Sequence, residues 1–232
     1  MSAVLHPPAT PAVYAALAML LEYPNEQQLQ SLSQLYDHLS HTQLQQLQPL
    51  LDYLTNQTDL IELQEEYVNT FDRRPKHSLH LFEHVHGTSR DRGQAMVDLH
   101  EEYQRYGLYL NTSELPDYVP LFLEFLAQIP SSNAQELLGD AVHVLAKLGE
   151  HLQLAQSPYA CVFVLLEQLS PVAAEPLPDM PEEELEEEEV SFGPHPQGMA
   201  ATLKHAGLNS TPQPVHFYDA SVLRSTSPKE RL

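Results

Sequence analysis

The fold is decided by an apolar stretch near the middle of the chain, Val119-Pro120-Leu121-Phe122-Leu123-Glu124-Phe125-Leu126-Ala127-Gln128-Ile129. Apolar side chains form two stripes at helical spacing, and only Glu124 and Gln128 are polar between them. The preceding Asp117 is the predicted N-cap, and Pro120 lies in the first turn, where an N–H would have no helical partner. A helix that is apolar nearly all round is typical of the centre of a helical domain. The alternative is a helix with one face in the core and the other at the floor of a groove, with Asp117 and Glu124 as its acidic points.

Helical signals continue on both sides of this stretch. Each predicted helix has apolar residues three or four positions apart and a start or stop residue of its own. The predicted helices are Pro11 to Tyr23 after a Thr10 cap, Leu29 to Leu39, Leu44 to Leu54, Asp59 to Asp72, Ser89 to Tyr106 before Gly107, Ser132 to Leu154 with a Ser132–Gln135 capping box, and Ser157 to Leu169. With the central helix, they predict a single compact all-α domain of about seven or eight helices over residues 1–170.

Composition indicates an acidic, helical protein. Leu occurs 39 times and Ile twice, and the formal net charge is −21. Such a charge repels nucleic acid and anionic membranes, because binding either needs cationic side chains. The single cysteine, Cys161, excludes an intrachain disulfide, and its apolar neighbours predict an unreactive core thiol. The first basic residue is Arg73, and the longest apolar run, Ala12 to Leu21, has ten residues. We therefore predict a cytoplasmic protein without a secretory signal or a membrane span.

Residues 171–232 differ in composition from the rest of the chain. They carry nine prolines, against ten in residues 1–170, and two acidic runs, Glu182–Glu184 and Glu186–Glu189. Like charges and a shortage of apolar side chains cannot offset the entropy of ordering such a segment. The sequence therefore predicts a low-complexity, acidic and Pro-rich tail that is mostly disordered. Residues 1–170 are acidic without it, with 21 acidic and 7 basic residues.

The search for reactive residues gives one cluster. The sequence has no phosphate-binding glycine loop, no dinucleotide-binding glycine fingerprint and no G-x-S-x-G elbow. The cluster consists of His77, His80, Glu83, His84 and His86. Imidazoles bind zinc or nickel, but His80 and His84 share a face only in a helix, and His84 and His86 only in a strand. A hydrogen-bonded loop or helix start and a partner-binding role stand beside metal binding as alternatives. We predict no catalytic residue, bound metal or cofactor.

Basic residues are concentrated in one short region. Five of the seven in residues 1–170 are Arg73, Arg74, Lys76, Arg90 and Arg92. Arg90 and Arg92 lie in the first turn of a predicted helix, where the macrodipole disfavours cations. The sequence therefore predicts compensation, either by Asp91 and Glu83 or by an anion at the exposed N–H groups.

Two longer motifs resemble a known family. The first is Leu81-Phe82-Glu83-His84-Val85-His86-Gly87-Thr88-Ser89-Arg90-Asp91-Arg92-Gly93-Gln94-Ala95-Met96-Val97-Asp98-Leu99, and the second is Glu114-Leu115-Pro116-Asp117-Tyr118-Val119-Pro120-Leu121-Phe122-Leu123-Glu124-Phe125-Leu126. Leu20-Leu21-Glu22-Tyr23-Pro24, and Tyr67, Phe71, Asp72 and Arg73, extend the similarity over roughly residues 15–170. The chain closely resembles the NarJ family, the delta-subunit chaperones that assemble respiratory nitrate reductase and are similar to the TorD/DmsD chaperones.

The resemblance implies an all-helical cytoplasmic chaperone rather than an enzyme. Such a protein binds the N-terminal segment of the apo catalytic (alpha) subunit and holds it until molybdenum cofactor and iron–sulfur centres are inserted. It is absent from the finished membrane enzyme, and proteins of molybdenum cofactor biosynthesis are further implied partners. The wider family has a Pro-x-Asp-His or similar motif in its peptide-binding region, which maps here to Pro116-Asp117-Tyr118.

We therefore expect a client-peptide site that both motifs contribute to, and a basic, amphipathic client segment that matches the acidic surface. The predicted site residues are Phe82, Glu83, His84, His86, Arg90, Asp91, Arg92, Pro116, Asp117, Tyr118, Leu121, Glu124 and Phe125. Two alternative functions remain. One is a chaperone for another molybdoenzyme, of the dimethyl sulfoxide or trimethylamine N-oxide reductase type, and the other is a metal-binding protein that uses the histidine cluster.

Overall fold

The chain forms helices in the order that its apolar spacing indicates, and the predicted all-α fold is confirmed. The computed structural model describes residues 9–57, 59–86, 90–110 and 114–177, and the backbone of 217–219. The helices are α1 (Pro11–Leu21), α2 (Glu26–Ser31), α3 (Leu35–His38), α4 (His41–Asn56), α5 (Leu60–Phe71), α6 (Glu83–His86), α7 (Asp91–Arg105), α8 (Val119–Gln128), α9 (Ser131–Leu154) and α10 (Ala160–Leu169). Single 3₁₀ turns lie at Leu32–Gln34 and Pro75–His77.

The centre of the domain is the packing of α1 along α8. Both helices are apolar nearly all round, and seven of the ten residues of α8 are buried. α9 packs against α8 and α10, and α10 also packs against α4. The hydrophobic core that these helices share is continuous. The sequence-based placement of the Val119–Ile129 stretch at the centre is therefore confirmed.

One two-stranded ribbon was not among the predicted elements. β1 (Leu108–Leu110) follows α7 and pairs antiparallel with β2 (Phe217–Asp219), with Tyr109 opposite Tyr218. Gly107 precedes β1 with φ of +76° and ends α7 as predicted, since glycine adopts this left-handed conformation at little cost. β2 falls in the predicted tail, most of which lies outside the described residues. The predicted disorder of that tail therefore stays a prediction.

Two predicted helix caps are wrong. α8 begins at Val119 after Tyr118, and the Asp117 side chain accepts hydrogen bonds from another segment instead of from its own helix. α9 begins at Ser131 after Pro130, and no side chain caps it. The Ser132–Gln135 capping box is therefore absent from this helix, and the Ser132 hydroxyl donates to Asn133 Oδ1 instead. Both corrections have the same cause, because a polar side chain near a helix start has several competing acceptors and donors.

Two predicted helix ranges also change. Leu29 to Leu39 is not continuous, since the turn at Leu32–Gln34 separates α2 from α3. α10 begins at Ala160 rather than at Ser157, because residues 157–160 form a turn in which Ser157 O accepts from Ala160 N at 3.1 Å. α7 begins at Asp91, and residues 87–89, which include its predicted start, lie outside the described residues.

The half-buried Cys161 thiol donates to Pro158 O, and burial raises the pKa of this thiol to about 11, in keeping with the predicted unreactive thiol.

Candidate functional site

The two family motifs meet where residues 78–82 run beside residues 115–119. Val119 N donates to Leu79 O at 2.8 Å, and Leu81 N donates to Asp117 O at 3.0 Å. His80 and Tyr118 form an isolated antiparallel bridge between these bonds. Because α8 starts at the end of this bridge, the histidine-containing segment is fixed to the N-terminus of the central helix.

Asp117 is the polar centre of this junction, and its side chain is completely buried. Its carboxylate accepts from His80 Nδ1 at 3.1 Å through Oδ1 and from the Phe82 backbone N at 3.0 Å through Oδ2. Burial alone lowers the pKa of His80, but the hydrogen bond and charge of Asp117 outweigh it and raise that pKa above its usual value. The pair therefore favours a charged imidazolium on a buried carboxylate.

Two tyrosines continue the junction into the core. The Tyr118 and Tyr67 hydroxyls lie 3.2 Å apart, and Tyr67 OH donates to Leu21 O at 2.8 Å. The Tyr118 ring lies beside the His80 ring, with centroids 5.5 Å apart. Tyr103 OH donates to Pro116 O at 2.6 Å and fixes the other side of the motif. Helices α1, α5 and α7 are thus linked to the start of α8 by side-chain hydrogen bonds.

Three carboxyl groups, Glu22, Asp72 and Glu114, act on Tyr118, and Glu124 is coupled to Glu22; Glu22 and Glu124 are half-buried, whereas Asp72 and Glu114 are exposed. Burial raises the pKa of Glu22 to about 7. Burial and the charge of Glu22 together raise the pKa of Glu124 to about 8. Asp72 and Glu114 also act on the Tyr118 hydroxyl through their charges. This group of carboxyls, which we call the acidic rim (Glu22, Asp72, Glu114 and Glu124), is able to attract a cation.

Only Glu124 of the acidic rim was predicted as a site residue. Glu22 follows α1, Asp72 follows α5, and Glu114 is the first residue of the second motif, so nothing in local spacing brings them together. Each nevertheless belongs to a motif that carries the family resemblance. A charged residue inside an otherwise apolar motif, such as Glu22 in Leu20-Leu21-Glu22, was the available signal.

The first motif forms a small unit of its own beside the junction. Arg92 Nη2 donates to Glu83 Oε1 at 2.9 Å, so the predicted compensation of a helix-start cation by Glu83 is confirmed. The Phe82 and His86 rings lie 5.8 Å apart. Arg90 and Asp91 are exposed at the start of α7. These residues present a mixed polar and aromatic surface next to the acidic rim.

Three predicted site residues contribute no surface. Leu121 and Phe125 are fully buried between α1 and the other core helices, and Asp117 is buried against residues 80–82. Leu121 and Phe125 are covered because the neighbouring core helices pack over the apolar faces of α8, so the groove-floor alternative loses its apolar floor. Pro116, Tyr118 and Glu124 remain partly accessible.

The histidine cluster is spread over separate hydrogen bonds. His77 Nδ1 bonds Thr70 O at 3.0 Å, and His84 Nε2 bonds Ser78 O at 2.8 Å. His80 is held by Asp117. Within the described ranges, no group of three or more His, Cys, Asp and Glu side chains is placed to hold a metal ion. The hydrogen-bonded alternative therefore accounts for these three rings.

The family assignment rests on a comparison with known proteins. The family model described as nitrate reductase delta subunit matches residues 37–164. The chain belongs to this family. The match includes both motifs and every residue of the acidic rim except Glu22. The delta-subunit resemblance seen in the sequence is thereby confirmed.

Individual relatives of this chain carry names that agree with the family. The nitrate reductase molybdenum cofactor assembly chaperone NarJ of Escherichia coli strain K12 is 53% identical over 115 residues, which are 50% of this chain and 49% of the relative. NarW of the same strain, described as a probable chaperone of that kind, is 49% identical over 111 residues, 48% of each chain. The alignments thus span about half the length of these relatives.

A solved structure supports the fold of this chain. The crystal structure of a candidate redox enzyme maturation protein from Archaeoglobus fulgidus superposes with a TM-score of 0.53 at 22% identity, covering 72% of this chain and 98% of that one. In the part of the chain that the structure describes, no helix has the length and apolar character needed to cross a bilayer.

Proposed function

We propose that this chain is a system-specific assembly chaperone for respiratory nitrate reductase. It binds the N-terminal segment of the apo catalytic (alpha) subunit in the cytoplasm and holds that subunit until molybdenum cofactor and iron–sulfur centres are inserted. It is neither an enzyme nor part of the finished complex. The observation that carries the proposal is the family match over residues 37–164, together with relatives named as chaperones of this assembly.

The described surface supports a cationic client segment. Three members of the acidic rim act on the partly accessible Tyr118, and the fourth, Glu124, is coupled to Glu22. Burial disfavours the charged form of Glu22 and Glu124 and raises the pKa of both carboxyls. A Lys or Arg of the client would stabilise these carboxyls in their charged form. The neighbouring Phe82, His86 and exposed Val85 supply apolar contact for the other face of an amphipathic helix.

No observation favours either alternative function. The matched family is that of the nitrate reductase delta subunit, not of another molybdoenzyme. His77, His80 and His84 each use one ring nitrogen in a hydrogen bond to a protein oxygen, and these three bonds go to separate acceptors rather than to a common metal site. Proteins of molybdenum cofactor biosynthesis stay proposed partners at a later step.

The experiment is titration calorimetry of the full chain with a synthetic peptide of the client's first few dozen residues. We expect binding that weakens as salt rises, because exposed charges are screened beyond about 8 Å at physiological ionic strength. Glu22→Gln and Glu124→Gln should each weaken binding, whereas Glu136→Gln, an exposed carboxyl on α9, should not. In a pull-down with this chain as bait, the apo subunit that lacks this N-terminal segment should not be retained. Retention of the truncated subunit would contradict the proposal, and equal binding by all three variants would place the site away from the acidic rim.

A further inference from the structure

The turn after α1, residues 21–25, is held by side chains that lie outside it, and we call it the Glu22 turn. The last carbonyls of a helix have no helical N–H to accept from, so other donors must pair with them. Here Leu21 O accepts from Tyr67 OH at 2.8 Å, and Pro24 O accepts from Gln64 Nε2 at 2.8 Å. Helix α5 therefore fixes both ends of this short segment.

The middle of the turn is fixed by Gln28 of α2. Its amide nitrogen donates to Met19 O at 2.6 Å and to Glu22 O at 3.3 Å. A glutamine amide has two N–H donors, so both are used on the end of α1 and the residue that follows it. The backbone of Gln28 is fixed in turn, because its N–H donates to Asn25 Oδ1 at 2.9 Å.

The burial of Gln28 is unusual for its residue type. Glutamine is mostly exposed in proteins, and α2 is a short, polar helix. Gln28 is nevertheless only 4% exposed, whereas its neighbour Gln27 is exposed. A buried amide whose donors both bond backbone carbonyls has a specific task, and the residue that it holds is Glu22.

The carboxyl group of Glu22 has no comparable support. Its side chain is half-buried and forms no hydrogen bond or ion pair with any described residue. Burial, the cause of its raised pKa, acts on a group that its own surroundings do not hold in place. The position of this carboxyl group therefore depends on the backbone to which it is attached, which is the backbone that Gln28 fixes.

The Glu22 turn is also connected to the second family motif. The Tyr67 hydroxyl that donates to the turn lies 3.2 Å from the Tyr118 hydroxyl, and the Tyr23 ring packs edge-on against the Tyr67 ring at 5.4 Å. Glu22 acts through its charge on both Tyr118 and Glu124. A shift of the turn would therefore change the position of Glu22 relative to the rest of the acidic rim.

We propose that Gln28 is a positioning residue of the client site, whose amide holds the backbone of Glu22 so that its carboxylate meets a cationic side chain of the client. This inference rests on the proposed chaperone function. Gln28 itself touches no client. Because the turn is held before the client arrives, binding does not have to supply the cost of ordering it. A purely structural role, as a donor to the end of α1, is the alternative that the experiment must separate.

The test is calorimetric titration with the client's N-terminal peptide in a double-mutant cycle. Gln28→Met keeps a side chain of similar length and removes both donors, so it should weaken binding several-fold, whereas the exposed Gln27→Met should bind as the parent does. In the Glu22→Gln background, Gln28→Met should weaken binding little further, because no carboxylate remains to be positioned. Equal weakening in both backgrounds, or none in the parent background, would overturn the proposal.

A second measurement needs no client. In an NMR titration of the Glu22 carboxyl group, the pKa is about 7 in the parent and should move toward the ordinary value of 4.5 in Gln28→Met, since a loosened turn exposes the carboxylate. An unchanged Glu22 titration in Gln28→Met would contradict the hold of Gln28 on the turn. A parent that binds no peptide would contradict the proposed function, whereas peptide binding that Gln28→Met leaves unchanged would contradict the role of Gln28 alone.

A milder variant covers the case in which Gln28→Met does not fold. Gln64→Met removes only the bond to Pro24 O, and Gln64 is partly accessible. It should weaken peptide binding and lower the pKa of Glu22 in the same directions, by less than Gln28→Met. If Gln64→Met left both the binding and the Glu22 titration unchanged while Gln28→Met was unfolded, Gln28 would be a structural residue and the proposal would be wrong.

Discussion

At the scale of single residues, Asp117 shows how a residue that the sequence singles out can have a role other than the predicted one. Its type and its position before an apolar helix predicted a cap, but its carboxylate instead joins two segments that are 35 residues or more apart in sequence. A cap is a local interaction that spacing can indicate, whereas the contact with His80 and Phe82 depends on the tertiary fold. The importance of Asp117 was predictable and its partners were not.

Asp117→Asn should therefore destabilise the fold, although asparagine is nearly as good a cap as aspartate. Both carboxylate oxygens accept hydrogen bonds, whereas asparagine has one acceptor oxygen. Its amide nitrogen would face either Phe82 N–H, a donor, or His80 Nδ1, which accepts only after losing its proton and with it the ion pair. We expect a loss of about 1–3 kcal/mol, seen as a lower melting temperature by circular dichroism. Asp140→Asn, at an exposed position on α9, is the control. Equal melting temperatures for the two variants would show that the carboxylate is not needed at the junction.

Glu124 gives the domain a pH-dependent stability. Burial and the charge of Glu22 raise its pKa to about 8 in the folded state, so the folded protein binds a proton more tightly than the unfolded chain does. The stabilisation is full below the ordinary glutamate value of 4.5 and is lost as pH rises through about 8. Glu22, with a pKa of about 7, and His80, whose pKa is also raised, act in the same direction.

We expect the melting temperature to fall between about pH 5 and pH 9, and to fall less in Glu124→Gln. The glutamine side chain keeps the shape and never carries a charge, so the variant should gain stability over the parent at the alkaline end only. The exposed Glu136→Gln should follow the parent. Thermal melts at three pH values measure this, and parallel curves for the parent and Glu124→Gln would show that Glu124 titrates normally.

At the scale of elements, the sequence predicts those helices whose position and ends depend on the spacing of apolar residues. The central position of α8 and the end of α7 at Gly107 follow from apolar spacing and from one glycine. The break between α2 and α3 could not be predicted, because leucines continue at helical spacing through Leu32–Gln34. β1 could not be predicted either, since its partner strand lies more than 100 residues away and three residues carry too little pattern.

The contact between α9 and α10 depends on one glycine. A Cβ atom at Gly149 would lie 2.8 Å from Phe163 Cβ, which is anchored to its backbone and cannot swing aside. Gly149→Ala should therefore lower the melting temperature, although alanine favours a helix by about 1 kcal/mol. Gly93→Ala in α7, where nothing lies within 4 Å of the added atom, should raise it. Two variants with changes of the same sign would contradict this account of the interface.

At the scale of the whole molecule, the end of the folded domain can be located by contacts. Residues 171–232 were predicted as tail, yet Pro171 and Val172 side chains lie 3.5 and 3.4 Å from the Cβ position of Gly139. Glu175 N donates to His143 Nδ1 at 2.8 Å, and Leu177 packs against the core. Proline content shows where the composition changes, but it does not predict that residues 171–177, directly after the change, pack against the domain.

A chain ending at Leu177 should therefore melt at nearly the temperature of the full chain, whereas one ending at Ser170 should melt several degrees lower. The chain ending at Leu177 keeps the contacts of Val172, Glu175 and Leu177 with α9 and the core. Among the described contacts, it loses the three-residue pairing of β2 with β1, which contributes little on its own. Circular dichroism melts of the three chains make the comparison, and His143→Ala in the chain ending at Leu177 tests the Glu175 contact separately. If both truncations melted alike, residues 171–177 would contribute nothing. If the chain ending at Leu177 lost its cooperative transition, the segment beyond it would be part of the folded domain.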